Sequence, residues 1–251
     1  QPLQALFQRE GEDNETKKMN DAAIMENIER IRERIARAAA GAGRRPEDVR
    51  LMAVTKTVDD ERIAAAIAAG VDIIGENYVQ EAKRKIELMG RPCQWHLIGH
   101  LQTNKAKYAV KLFDMIHSVD RPEVARELNR RAVGEGRIVP ILIEVNVSGE
   151  ATKRGVAREE ALNLAREIAP LEHLSIRGLM TMAPWFDDPE AARPYFAALR
   201  ILRDRIAAAD IPGVHMEELS MGMSGDFEAA VAEGATIVRI GRSLFGERPP
   251  R

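Results

Sequence analysis

Apolar residues recur along this chain with two periods. Ile24, Ile28, Ile31 and Ile35 are spaced by four, three and four, which marks one face of an amphipathic helix, and Gly41 and Gly43 supply its stop. From residue 49 onward a short apolar run, a polar or glycine turn and an alanine-rich helical stretch repeat in order. The apolar runs cover residues 49–55, 71–75, 94–98, 115–119, 139–147, 174–180, 215–219 and 236–240, and they predict eight strands. Helices are expected to begin near Asp59, Tyr78, Thr103, Arg121, Arg158, Pro189 and Gly225, and a short terminal helix follows the last run. Pro122 follows Asp120 and Arg121 and precedes Glu123, which predicts a capped first turn. Asp188-Pro189-Glu190 repeats the device before a helix whose Tyr195, Leu199, Leu202 and Ile206 share one apolar face.

Strands alternating with helices at this spacing predict a parallel sheet, and eight units predict an α/β fold closed as a single-domain (β/α)8 TIM-like barrel. An open doubly wound sheet would carry G-x-G-x-x-G after its first strand, whereas Val54-Thr55-Lys56-Thr57 contains no glycine. The Ile-rich segment is then an extra N-terminal helix that plugs or flanks the N-terminal side of the barrel. Residues 1–18 are polar, acidic and aperiodic. They are expected to be a disordered extension or a remnant foreign to the natural chain, with Met19 its natural start and residues 19–251 the barrel domain.

Composition narrows the function classes. The 251 residues suit one large domain or two small ones. With 37 basic and 39 acidic residues the net charge is -2, so nothing points to nucleic acid or a membrane surface as partner. The one cysteine, Cys93, rules out an intramolecular disulfide and suits a reducing compartment. No apolar stretch reaches the ~20 residues of a membrane span. A cytoplasmic protein is expected.

In a (β/α)8 barrel the chemistry lies at the C-terminal ends of the strands. Those positions are Lys56, Gly75-Glu76-Asn77, His96 with Gly99 and His100, Ser118, Asn146, Met180-Thr181-Met182, residues 220–224 and Arg239-Ile240-Gly241. A lysine at the tip of a buried strand is poorly hydrated, so its neutral amine is favoured and can attack a carbonyl. The turns at residues 220–225 and 241–243 are rich in small and hydroxyl residues whose backbone N–H groups can approach an anion, with arginine forks beside them. An amine and a phosphate cradle together suit an aldehyde-bearing phosphorylated cofactor.

Other chemistry fits less well. His96 and His100 are four apart, but on a strand end that spacing does not bring two imidazoles to one metal, so no metal site is expected. Met180, Met182, Met221 and Met223 suit either core or pocket lining. Residues 149–155 lack the G-K-[ST] order of a nucleotide loop, although Lys153 could approach the barrel mouth as a second amine. Cys93 precedes its strand instead of ending it, which favours a structural role.

Several segments in order carry a resemblance: Val54-Thr55-Lys56-Thr57, Ile74-Gly75-Glu76-Asn77-Tyr78-Val79-Gln80-Glu81, Trp95-His96-Leu97-Ile98-Gly99-His100-Leu101-Gln102-Thr103-Asn104-Lys105, Gly178-Leu179-Met180-Thr181-Met182, Leu219-Ser220-Met221-Gly222-Met223-Ser224-Gly225-Asp226 and Val238-Arg239-Ile240-Gly241. From about Met19 to Glu247 the chain resembles the pyridoxal phosphate homeostasis protein family, a fold-type III barrel like the N-terminal domain of alanine racemase. The resemblance implies that Lys56 holds pyridoxal 5'-phosphate (PLP) as a Schiff base. It implies that Ser220, Met223, Ser224, Gly241, Arg242 and Ser243 surround the phosphate, and that Asn77, His96 and Met180 line the pocket. Arg239 would lie within reach of the pyridine nitrogen or the phosphate. Facing the nitrogen, its fixed charge would keep that atom unprotonated and weaken the ring as an electron sink.

Two functions follow. The resemblance implies a PLP-binding protein of intracellular PLP homeostasis that binds, buffers or delivers the cofactor without robust catalysis, as a monomer that meets apo-PLP enzymes transiently. The alternative is a PLP-dependent amino-acid racemase. Racemisation on this fold needs a second base opposite Lys56, which alanine racemases supply as a tyrosine from an extra domain of the partner subunit. This sequence ends some ten residues past its eighth strand, and Tyr78, Tyr108 and Tyr195 all read as helix residues, so the carrier is preferred. A Schiff-base aldolase ranks last, because its lysine usually comes from the sixth strand.

Overall fold

Strand β1, Arg50–Val54, is buried at its last four positions. Near-continuous burial is what a parallel strand covered on both faces requires. The structure, a computed structural model, describes residues 2–246, with side chains from Asp21 onward. In chain order the remaining strands are β2 (Ile73–Glu76), β3 (Gln94–Leu97), β4 (Met115–Val119), β5 (Val139–Asn146), β6 (Val156–Ala157), β7 (Leu174–Met180), β8 (Val214–Met223) and β9 (Ile237–Ile240). All pairings are parallel, in the order β4-β3-β2-β1-β9-β8-β7-β5, and a β4–β5 pairing closes the ring of eight. The two-residue β6 stands outside that ring, against the C-terminal end of β5.

The helices are α1 (Pro2–Gly41), α2 (Asp60–Ala68), α3 (Val79–Met89), α4 (Ala106–Leu112), α5 (Pro122–Gly134), α6 (Ala161–Ile168), α7 (Arg193–Ala208), α8 (Phe227–Ala232) and α9 (Arg242–Phe245). Asp59 caps α2 by accepting the Arg62 N–H, and Asp188 accepts the Glu190 N–H at the turn that leads into α7. At α5 Pro122 occupies the first turn but no side chain caps it, because Asp120 is committed to Arg121 at 2.6 Å. Helix α6 starts three residues later than expected, since β6 takes up the preceding chain.

Of the two expected places, plugging or flanking, helix α1 takes the second: it flanks the barrel. Its buried Ile24, Ile28, Ile31, Ile35 and Ala39 pack against α2, α8 and α9. The physical reason is the brevity of α9, four residues that cannot cover the β9–β1 wall, so the isoleucine stripe completes the helical ring there. Arg34 reinforces the contact with a two-pronged bond to Glu228 (2.9 and 2.7 Å), and Arg44 donates to the carbonyls of Val231 and Ala235. The backbone of α1 is continuous from Pro2, but the side chains of residues 1–20 lie outside the described residues, and so does the packing of the extension expected over residues 1–18.

The main core lies between the barrel and its helices, with Trp95, Phe113, Phe196 and Phe227 fully buried in it. Inside the barrel Met52, Ile73 and Ile237 form one small cluster and Met115, Leu142 and Met180 another. Strand β8 runs four residues beyond the expected 215–219, so Ser220 to Met223 are strand and not loop. The extension passes through Gly222 at φ 90, where an added Cβ would stand 2.5 Å from Ala230 Cβ, so only glycine fits between β8 and α8. Among the described residues no helix is long and apolar enough to cross a membrane.

Candidate functional site

Lys56 lies two residues past the end of β1, half-buried in the turn at the C-terminal face of the barrel. It lines a cavity of about 500 Å³ together with Asn77, Met180, Met223, Ser224, Arg239, Gly241 and Arg242. Asn77 is set in place by close packing: an added Cβ on Gly99 would lie 2.2 Å from the Asn77 carbonyl oxygen, so the loop after β3 can pass this close only as glycine. The Asn77 Oδ1 atom is buried and has no hydrogen-bond partner among the described residues. A buried orphan acceptor at a cavity wall is a group waiting for a ligand.

Arg239 is almost fully buried and held by two bonds, one to Ser220 Oγ at 2.8 Å and one to the Thr181 carbonyl at 2.7 Å. Burial lowers its pKa to about 10, which still leaves it cationic at neutral pH. Behind it a chain of hydrogen bonds crosses the barrel interior. Ser220 Oγ meets His117 Nδ1 (3.0 Å), His117 Nε2 meets His96 Nδ1 (3.0 Å), and His96 Nε2 meets Gln94 Oε1 (3.2 Å). A guanidinium can only donate, so Ser220 accepts from it and passes its own proton toward His117, and each imidazole follows as acceptor on Nδ1 and donor on Nε2. Burial favours neutral rings throughout, holding His117 well below its ordinary value and His96 down at about 3.

One corner of the cavity lies between the end of β8 and α9. The Ser243 N–H donates to Ser224 Oγ at 3.2 Å and the Ser243 hydroxyl to the Ser224 carbonyl at 3.4 Å, which ties the two turns together. Gly225 and Arg242 line the same part of the cavity, and an added Cβ on Gly225 would meet nothing within 4 Å.

Of the residues expected at the site, His96, Ser220 and Ser243 do not line the cavity. His96 and Ser220 belong to the relay behind Arg239, and Ser243 braces Ser224. His96 pairs with His117 and not with His100, whose ring lies in the loop after β3. Lys153 is ion-paired with Glu150 at 3.3 Å and stands away from the cavity lining. Cys93 is half-buried and its thiol is pushed up to about 11 by burial, which makes it a poor nucleophile.

Sequence reading missed His117, Asp226, Trp185 and Phe186. Burial raises the Asp226 carboxyl pKa, and the group accepts the Met223 N–H at 2.6 Å at the cavity edge. Trp185 is 80% exposed on the loop after β7, where it and Phe186 form one lip of the cavity. Adjacent aromatic residues in a loop that follows a barrel strand were the available signal.

The cavity fits a phosphorylated aldehyde: an amine, two arginines, a hydroxyl and an orphan amide oxygen face it, with Asp226 the one acidic residue of its lining among the described residues. The alanine racemase N-terminal domain family matches residues 20–249. A relative from Aquifex aeolicus (strain VF5) named pyridoxal phosphate homeostasis protein is 45% identical over 224 residues, 89% of this chain and 97% of its own. The structure of PipY from Synechococcus elongatus PCC7942 with PLP bound superposes with TM-score 0.74 at 37% identity, covering 84% of this chain and all of that one. Alanine racemase from Clostridium difficile 630 shares the fold, with TM-score 0.72 at 17% identity, and this chain covers 58% of its length.

Proposed function

This chain belongs to the pyridoxal phosphate homeostasis protein family, and from that premise we propose that its barrel mouth binds PLP for storage, buffering or delivery and not for turnover. The observation that carries this reading is the convergence of Lys56, the orphan Asn77 Oδ1, Arg239 and Arg242 on one cavity. When bound, PLP supplies an aldehyde electrophile and a phosphate anion. Lys56 is the covalent anchor, because its amine reaches the cavity from the turn just past β1. Ser224, Gly241 and Arg242, braced by Ser243, receive the phosphate. Arg239 is assigned to the ring nitrogen, since its fork is already committed to Ser220 and Thr181 on the cavity wall. A fixed positive charge there opposes protonation of that nitrogen and so disfavours carbanion chemistry. Met180 and Asn77, which line the cavity, would face the ring. The single cysteine supports a cytoplasmic location, and a monomer that meets apo-enzymes transiently completes the proposal.

Borohydride reduction of the PLP-loaded protein followed by peptide mapping tests the assignment. The pyridoxyl adduct is expected on Lys56, and Lys56→Ala should lose it while keeping the fold. An adduct on another lysine, or none, would sink the reading.

A further inference from the structure

The chain bends sharply at Lys56. Thr57 adopts φ 61, the left-handed region that β-branched residues rarely enter. Something must hold this bend, and the bonds around it converge on one buried ammonium. Lys85, on α3, is fully buried. Its Nζ donates to the Thr55 carbonyl (2.6 Å), to Glu76 Oε1 (2.7 Å) and to Glu81 Oε1 (2.7 Å). All three of its protons are thereby used. The same Glu81 oxygen accepts the Thr57 N–H at 2.7 Å, and the same Glu76 oxygen accepts the Thr55 hydroxyl at 2.5 Å. The residues on either side of Lys56 therefore close on a single node made from the end of β2 and the first turns of α3.

Neither Glu76, Glu81 nor Lys85 lines the cavity, so the node does not itself touch a ligand there. Burying an ammonium and a carboxylate is also a weak way to gain stability, because apolar residues of similar size often do as well. What such a node provides is directional: three fixed donors and two fixed acceptors leave the Lys56 backbone one position.

We propose that Lys85 is a positioning residue for Lys56, and that the Glu76–Lys85–Glu81 node clamps residues 55 and 57 so that the Lys56 amine meets the cofactor aldehyde in a reactive geometry. The inference rests on the assignment of Lys56 as the covalent anchor. In the step concerned, Lys56 Nζ forms a C=N bond to the aldehyde carbon, the C=O bond breaks, and its oxygen leaves as water. The node accelerates this step by holding the amine in place and takes no proton in it.

Two ligands separate positioning from general support. Pyridoxine 5'-phosphate carries the ring and phosphate but an alcohol in place of the aldehyde, so it reports cavity binding alone. PLP trapped by borohydride on Lys56 reports condensation. In Lys85→Met and in Glu81→Ala, pyridoxine phosphate affinity is expected to stay near wild type. The rate of forming the trapped adduct should drop about tenfold or more, as expected when a reacting group loses its alignment. Glu81→Ala removes the Thr57 tie and one of the three Lys85 bonds, leaving Lys85 its bonds to Thr55 and Glu76; the Glu81 side chain is 22% exposed, and this variant carries the test if Lys85→Met fails to fold. Wild-type adduct rates in a folded variant overturn the proposal, and so does an equal loss of pyridoxine phosphate binding, which would make the node merely structural. No Lys56 adduct in the wild-type protein would overturn the anchor assignment first, a result distinct from either.

Discussion

Glu144, on β5, is a carboxyl buried among the barrel strands. Burial and the charge of Asp120 push its carboxyl up to about 7, with Arg239 and Arg154 opposing. Between its ordinary 4.5 and about 7 the native state keeps a proton that the unfolded chain has lost, so this group lowers stability as pH rises through that window. Glu144→Gln has no such proton to lose. Relative to wild type, the variant should gain up to about 3 kcal/mol between pH 4.5 and pH 8, read from urea unfolding at both values. Identical pH profiles would show that the ionised carboxylate is well solvated. Lys56 was legible at this scale, because a lysine closing an apolar run is a local signal. His117 and Lys85 were not: one sits inside a strand and the other at a helix position, and their roles depend on partners 103 and 30 residues away.

Among the elements, α1 shows what periodicity conveys and where it stops. The four-three-four isoleucine spacing defines a helix and its buried face, and every one of those residues is buried. The destination of that face was not in the pattern, since it depends on α9 being too short to cover the β9–β1 wall. Ile28→Ala should cost about 2–5 kcal/mol of stability by opening a cavity at a fully buried site. PLP affinity should not change, because the stripe packs on α2, α8 and α9 and no described α1 residue lines the binding cavity. Denaturant unfolding and PLP titration of the same variant check both halves, and a parallel loss of affinity would show that α1 is coupled to the barrel mouth. Strand β8 makes the complementary point. Its apolar alternation ends at Leu219, yet pairing with β9 carries the strand to Met223 and turns Ser220 inward to Arg239.

For the whole molecule, carrier and racemase differ in one requirement, a base across from Lys56. Among the described residues no tyrosine lines the cavity, and the titratable groups that line it beside Lys56 are Asp226, Arg239 and Arg242. The loaded protein should therefore yield PLP to an apo-enzyme while showing negligible racemisation of free amino acids. A chiral assay over the common amino acids is the check, and steady conversion at about 1 per second or faster would restore the racemase reading. The sequence by itself determined the barrel, the strand-end lysine and the glycine-rich turns, because each rests on short-range rules: the period of side chains along an element, the conformational freedom of glycine, the dry end of a buried strand. Only the tertiary structure decided that α1 completes the helical ring, that His96 and Ser220 support Arg239 from behind, and that Glu76, Glu81 and Lys85 converge beside Lys56. Those relations join elements distant in sequence, and the closure of the barrel is what brings them within hydrogen-bond reach.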